Sequence, residues 1–182
     1  MEKTHPFLQQ IRKDVITERV VLAGIVFFSL ASLSVALIGE YLLDIRPCIL
    51  CLYQRIPYGV AALVAGAGVV LPISSAFRRL AVVLCGVVFA VGAGLAFYSV
   101  GVEEQWWVGV AGCEGTSLPV LSVDDLQASL ARPAVLRACD EDVWRLFGLS
   151  LAAYNVAVQL VVAAACFVGL RWMVRNPRQE LP

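Results

Sequence analysis

The run LAVVLCGVVFAVGAGLAFYSV, residues Leu80 to Val100, carries no charged side chain and is apolar on every face of a helix. At a rise of about 1.5 Å per residue it crosses the roughly 30 Å hydrocarbon core of a bilayer. A helix of a soluble domain keeps one polar face. This one has none, so it reads as a membrane span. Working outward, three more runs reach the same length: Val20 to Leu43, Ile56 to Ile73 and Leu149 to Leu170. With 60% of the 182 residues hydrophobic and 15% charged, the composition lies well outside that of soluble domains. The expected fold is an all-α integral membrane protein: a four-transmembrane-helix bundle forming one domain over residues 1–182. Gly24, Gly66, Gly68, Gly86, Gly92 and Gly94 lie within the runs, where small residues let helices approach closely. The net charge of zero implies no bulk attraction to nucleic acid.

Residues 1–19 are polar and the first apolar run is long enough to stay in the bilayer, so it is expected to act as a signal anchor. Orientation follows from Lys and Arg near the span ends. Lys3, Arg12, Lys13, Arg19, Arg78, Arg79, Arg171, Arg175 and Arg178 fall on one side; Arg46, Arg55, Arg132, Arg137 and Arg145 fall on the other. The richer side is expected to be the cytoplasm, with both termini on it. Two loops are then external, residues 40–55 and 99–148. Cys48, Cys51, Cys113 and Cys139 all lie in them or at their edge, on the oxidising side of the membrane. Cys85 and Cys166 fall inside apolar runs and read as small apolar fillers.

The long loop carries one local helical signal. Ser122 is a capping residue, Asp124 and Asp125 suit the first turn, and Val123, Leu126 and Leu130 recur at helical spacing up to Pro133. A short amphipathic helix is expected there, either flat on the membrane or packed on the loop. Trp106, Trp107 and Trp144 read as interfacial anchors.

Chemistry concentrates in Cys48-Ile49-Leu50-Cys51-Leu52-Tyr53-Gln54-Arg55. A C-x-x-C pair is a redox dithiol, a structural disulfide or half of a metal site. If the second span begins near the motif, Cys51 and Arg55 share a helix face close to its positive N-terminal end, and both effects stabilise a thiolate. Arg55 also offers planar donors to a carbonyl oxygen such as that of a membrane quinone. Cys113 and Cys139 can form a second disulfide if the loop folds back, either as a structural staple or as an exchanging pair. In the second case two disulfides in series form a relay: a partner's thiolate attacks the mobile outer pair, exchange passes the electrons inward, and an acceptor removes them. No step requires a metal.

The C-x-L-C-x-Y-Q-R run resembles that of the bacterial disulfide-bond formation protein B (DsbB) family. So do the Gly101-Val102-Glu103 and Trp106-Trp107 approach to Cys113, and Cys139-Asp140-Glu141 followed by Trp144. The resemblance extends from Val20 to the fourth span. It implies a quinone-linked thiol oxidase of the bacterial inner membrane. Cys48 and Cys51 then match the pair reoxidised by ubiquinone or menaquinone, with Cys51 engaging the ring and Arg55 assisting. Cys113 and Cys139 match the pair that oxidises a periplasmic DsbA-like thioredoxin-fold protein; Cys113 forms the mixed disulfide and Cys139 exchanges with Cys48. Many members carry a histidine just after the tyrosine that ends the third span. Here Tyr98 is followed by Ser99, which is taken as the hydrogen-bond donor to the quinone, while the sole histidine is His5. Asn155 and Gln159 either line the quinone cavity or bond between helices. Glu40 and Asp44 mark the membrane boundary or manage protons. Two other readings are weighed against this one: a four-span scaffold or receptor stapled by loop disulfides, and a quinone reductase of the vitamin K epoxide reductase type.

Overall fold

The computed structural model describes residues 6–110, 113, 138, 139 and 145–175, with the backbone alone for 6–17, Leu146 and Arg175. Four helices dominate: α1 Pro6–Tyr41, α2 Ile49–Val70, α3 Ser75–Glu103 and α4 Leu151–Arg175. Each contains a stretch long and apolar enough to cross a membrane: Glu18–Tyr41, Ile49–Val70, Ser75–Glu103 and Leu151–Val174. Lipid offers no hydrogen-bond partner, so a spanning chain has to satisfy its backbone internally, and the helix does this residue by residue. The chain is therefore an all-α, multi-pass membrane protein. The short helix expected from Ser122, and Trp144, lie outside the described residues.

The second helix starts at Ile49, whereas the apolar run by itself begins at Ile56. Gln54, Arg55 and Pro57 interrupt the hydropathy without interrupting the backbone. Pro57 removes only the N–H that a residue there gives to the carbonyl of Tyr53. The motif cysteines are consequently part of a helix end.

One feature carries no hydropathy signal. Before α4 the chain forms a minimal antiparallel hairpin, β1 Arg145–Leu146 and β2 Leu149–Ser150, pairing Arg145 with Ser150 and Leu146 with Leu149. Its loop residues Phe147 and Gly148 both have positive φ, 51° and 82°, as a two-residue type I′ turn requires. Ser150 then caps α4, its Oγ accepting the Ala153 N–H at 3.2 Å.

The described residues fall into two compact units. The first draws on Met1–Leu33, Pro57–Val91 and Gln159–Pro182. Its core joins Leu22 and Ile25 of α1, Tyr58, Ala61 and Ala65 of α2, Val82, Cys85 and Phe89 of α3, and Ala163 and Cys166 of α4. Phe28, Tyr58 and Phe89 meet ring to ring at 5.7 to 6.3 Å. Cys85 and Cys166 are buried free thiols in this apolar core. Arg79 donates from Nε to the buried Glu18 carboxylate at 2.8 Å.

α3 and α4 approach closely at Gly86: a Cβ there would sit 3.2 Å from Cys166 Cβ and 3.1 Å from Phe167 Cζ. Gly86→Leu is expected to destabilise the fold by about 1 to 3 kcal/mol, the usual effect of overpacking. Thermal unfolding in detergent measures it.

The second unit draws on Ser34–Ile56 and Gly92–Val158. After α1, the chain turns through Asp44 at φ 51°, with the Ile45 N–H donating to the Gly39 carbonyl at 3.0 Å. α3 ends in a Schellman motif: Trp106 N–H donates to Gly101 O at 2.8 Å and Gln105 N–H to Val102 O at 3.1 Å. Gln105 occupies the left-handed position at φ 58°. These two turns deliver the motif and the strand of chain before Cys113 to one cluster.

Candidate functional site

Cys48 is the N-cap of α2. Its carbonyl accepts the Leu52 N–H at 3.2 Å, and its Sγ accepts the Cys51 N–H at 3.1 Å, in the manner of a capping serine. Cys51 lies in the first turn and is joined to Cys48 by a disulfide with a Cα–Cα distance of 5.1 Å. The helix end therefore acts directly on the Cys48 sulfur. The sequence placed both the dipole and Arg55 beside Cys51; the structure divides them, the amide going to Cys48 and the i, i+4 position of Arg55 to Cys51.

Cys113 and Cys139 form the second disulfide, Cα–Cα 4.8 Å, and the Cys139 N–H donates to the Cys113 carbonyl at 2.9 Å. This pair is not outward-facing: Cys113 is 6% exposed and Cys139 4%. Both pack with Cys48, Leu50 and Val102 in a single buried cluster, against which Ile49, Cys51 and Tyr98 also rest. The two disulfides thus share one apolar environment.

Aromatic residues hold the approach to Cys113. Tyr98 and Trp107 stack at 5.7 Å with 13° between their planes. Trp107 Nε1 donates to the Tyr98 carbonyl at 3.0 Å, and the Tyr98 hydroxyl donates to the Val108 carbonyl at 3.1 Å. The Trp107 ring lies where a side chain at position 101 would be, so Gly101 is needed for this clasp. Gly109 has an equally local reason: a Cβ there would sit 2.6 Å from Cys113 Cβ and 2.9 Å from its Sγ. Gly109→Val is expected to displace Cys113 and weaken the outer pair by about 1 to 3 kcal/mol. Alkylation of Cys113 and Cys139 after graded dithiothreitol, compared with wild type, reads the change.

A second set of polar side chains surrounds the motif. Gln54 is buried; its Nε2 donates to Ser99 Oγ at 2.7 Å, and its Oε1 accepts from Asn155 Nδ2. Arg55 is ion-paired through Nη1 with Glu40 of the last turn of α1. Ser99, Gln54 and Asn155 therefore form one chain of hydrogen bonds across three helices. Of the residues the sequence singled out, Cys48, Cys51, Cys113 and Cys139 come together in the cluster, and Ser99 and Asn155 meet on Gln54. Gln159 is not part of this network: it is buried in the first unit, and neither of its amide atoms has a partner among the described residues.

Gln54 and Glu40 carry more of this arrangement than their sequence pattern indicates: Gln54 links Ser99 to Asn155, and Glu40 pairs with Arg55. An ionisable residue within an apolar run is itself a signal, because lipid penalises it unless it is paired. The Arg55 guanidinium brings planar donors to this end of α2, with Gln54 beside it in sequence and Ser99 hydrogen-bonded to Gln54.

A family model described as Disulfide bond formation protein DsbB matches residues 18–169. No curated protein and no solved structure matches the chain.

Proposed function

Because the chain belongs to the disulfide bond formation protein DsbB family, we propose that this membrane oxidoreductase reoxidises a periplasmic DsbA-like thioredoxin-fold protein at the expense of a membrane quinone. Electrons enter at Cys113–Cys139, pass to Cys48–Cys51 and leave to ubiquinone or menaquinone. The protein resides in the bacterial inner membrane with both termini in the cytoplasm. The observation that carries this reading is the packing of both disulfides in one buried cluster.

The partner's thiolate attacks Cys113, forming an intermolecular S–S bond and releasing Cys139 as the leaving thiolate with its electron pair. The partner's second thiolate then resolves that bond, so the partner leaves oxidised. Cys139 attacks Cys48, and Cys51 leaves as a thiolate. Reclosure of Cys113 on Cys139 restores the outer pair and leaves Cys48 and Cys51 reduced. The Cys51 N–H stabilises charge on Cys48, whereas Arg55 is placed to do so for Cys51. A bound quinone supplies the sink for two electrons and two protons, and Arg55 orients its carbonyl. The balance is one partner dithiol oxidised for each quinone reduced to quinol.

The test uses the purified protein in detergent with a reduced periplasmic thioredoxin-fold oxidant and excess ubiquinone or menaquinone. One quinol is expected per partner disulfide formed. A partner that stays reduced while the quinone is untouched would overturn the reading and favour a stapled scaffold.

A further inference from the structure

Glu40 occupies the last turn of α1, inside an apolar span. Neither surrounding favours a carboxylate: the helix C-terminus is the negative end of the dipole, and lipid penalises a charge. Its partner is Arg55, and the two side chains are only 23% and 21% exposed. Such a pair seldom repays its own desolvation in stability, so the placement calls for another benefit.

We propose that Glu40 is the positioning residue of the acceptor site. By taking Nη1, its carboxylate fixes the plane of the Arg55 guanidinium. The remaining N–H donors of that rigid fork are then held in one orientation for a quinone carbonyl. Arg55 thereby meets the acceptor as an aimed donor and not as a mobile cation. The inference rests on the quinone-linked reading above and deepens it.

The other charged side chains described in this unit have different positions. Asp44 and Arg46 lie in the α1–α2 connection, Glu103 ends α3, and Glu104 just after it pairs with Arg145 of the hairpin at 3.0 Å. The polar chain Ser99–Gln54–Asn155 borders the motif through Gln54 and carries no charge with which to replace Glu40. An ion pair that only stapled α1 to α2 would show itself in stability. A positioning pair shows itself in the use of the acceptor.

The experiment measures quinol formation at varied quinone concentration and fixed reduced partner for wild type, Glu40→Gln, Glu40→Asp, Arg55→Lys and the Glu40→Gln/Arg55→Lys double variant. Glu40→Gln keeps the shape and a hydrogen bond, so it protects the fold. Its KM for quinone is expected to rise about tenfold with kcat lowered no more than about twofold, the signature of lost binding energy common to ground and transition states. Glu40→Asp recovers part of the affinity. In the double variant, the Glu40 substitution adds less than about twofold to the KM of Arg55→Lys, because both changes remove the same aimed fork. Reduction of Cys48–Cys51 by dithiothreitol without quinone is expected to change less in Glu40→Gln than the KM for quinone does, because that step does not use the acceptor site. An unchanged KM, effects that multiply in the double variant, or equal losses in quinone use and dithiothreitol reduction would each overturn the assignment. An active wild type with an unaltered Glu40→Gln variant sinks this inference alone; a wild type that reduces no quinone sinks the functional reading and this inference with it.

Discussion

Cys51→Ser is expected to bring quinone reduction down to the uncatalysed background, a loss on the order of a thousandfold or more, as follows when the atom that carries the reaction is removed. Serine matches the size of cysteine, and the helix start survives because the capping atoms belong to Cys48 and to the Cys51 backbone. The lost disulfide closed a loop of sequence separation 3, so it constrained the unfolded chain little. The stability change is expected to be at most about 2 kcal/mol. The measurement pairs quinol formation with thermal unfolding of the same preparation. A variant that unfolds like wild type yet reduces no quinone places the effect in chemistry. Equal rates in the two proteins would remove Cys51 from the mechanism.

The second large effect separates the two disulfides. Cys139→Ser is expected to abolish turnover with the protein partner, again on the order of a thousandfold, because no outer disulfide remains for the partner's thiolate to open. A small dithiol such as dithiothreitol has no need of the outer pair, and quinone reduction driven by it is expected to persist in this variant. A partner whose resolving cysteine is replaced is expected to open Cys113–Cys139 of the otherwise wild-type protein and to stay bound as a mixed disulfide on Cys113, with Cys139 as the leaving thiolate; the species is visible on a non-reducing gel and absent from Cys113→Ser. Trapping through Cys139 but never through Cys113 would reverse the order of the outer pair and leave the overall activity standing. The burial of Cys113 and Cys139 adds a requirement: the partner has to open the cluster that they share with Val102 and Leu50 in order to reach sulfur.

The parts legible in the sequence are those decided by local chemistry. A run such as Leu80 to Val100 has one low-energy solution in lipid, a helix, whatever its neighbours are. The motif from Cys48 to Arg55 likewise fixes which side chains share a helix face once the helix begins there. The onset itself was not legible, because Gln54, Arg55 and Pro57 lower the hydropathy over the first turns while the backbone continues through them. The hairpin at Arg145–Ser150 was hidden for another reason: two-residue strands have no period to detect, and Phe147 is an unusual occupant of a positive-φ position.

What only the tertiary structure decided are the pairings across long sequence separations. Gln54 finds Ser99 at a separation of 45 and Asn155 at 101, and Arg55 finds Glu40 at 15. A polar group left unpaired in an apolar surrounding is costly, so the sequence signals that these residues favour a partner. It does not say by which neighbour, since that depends on which helix faces turn toward one another. The same holds for the cysteines. Their number and spacing were written in the chain, whereas the burial of both disulfides in one cluster, and the assignment of Arg55 to Glu40, follow from how the helix ends pack.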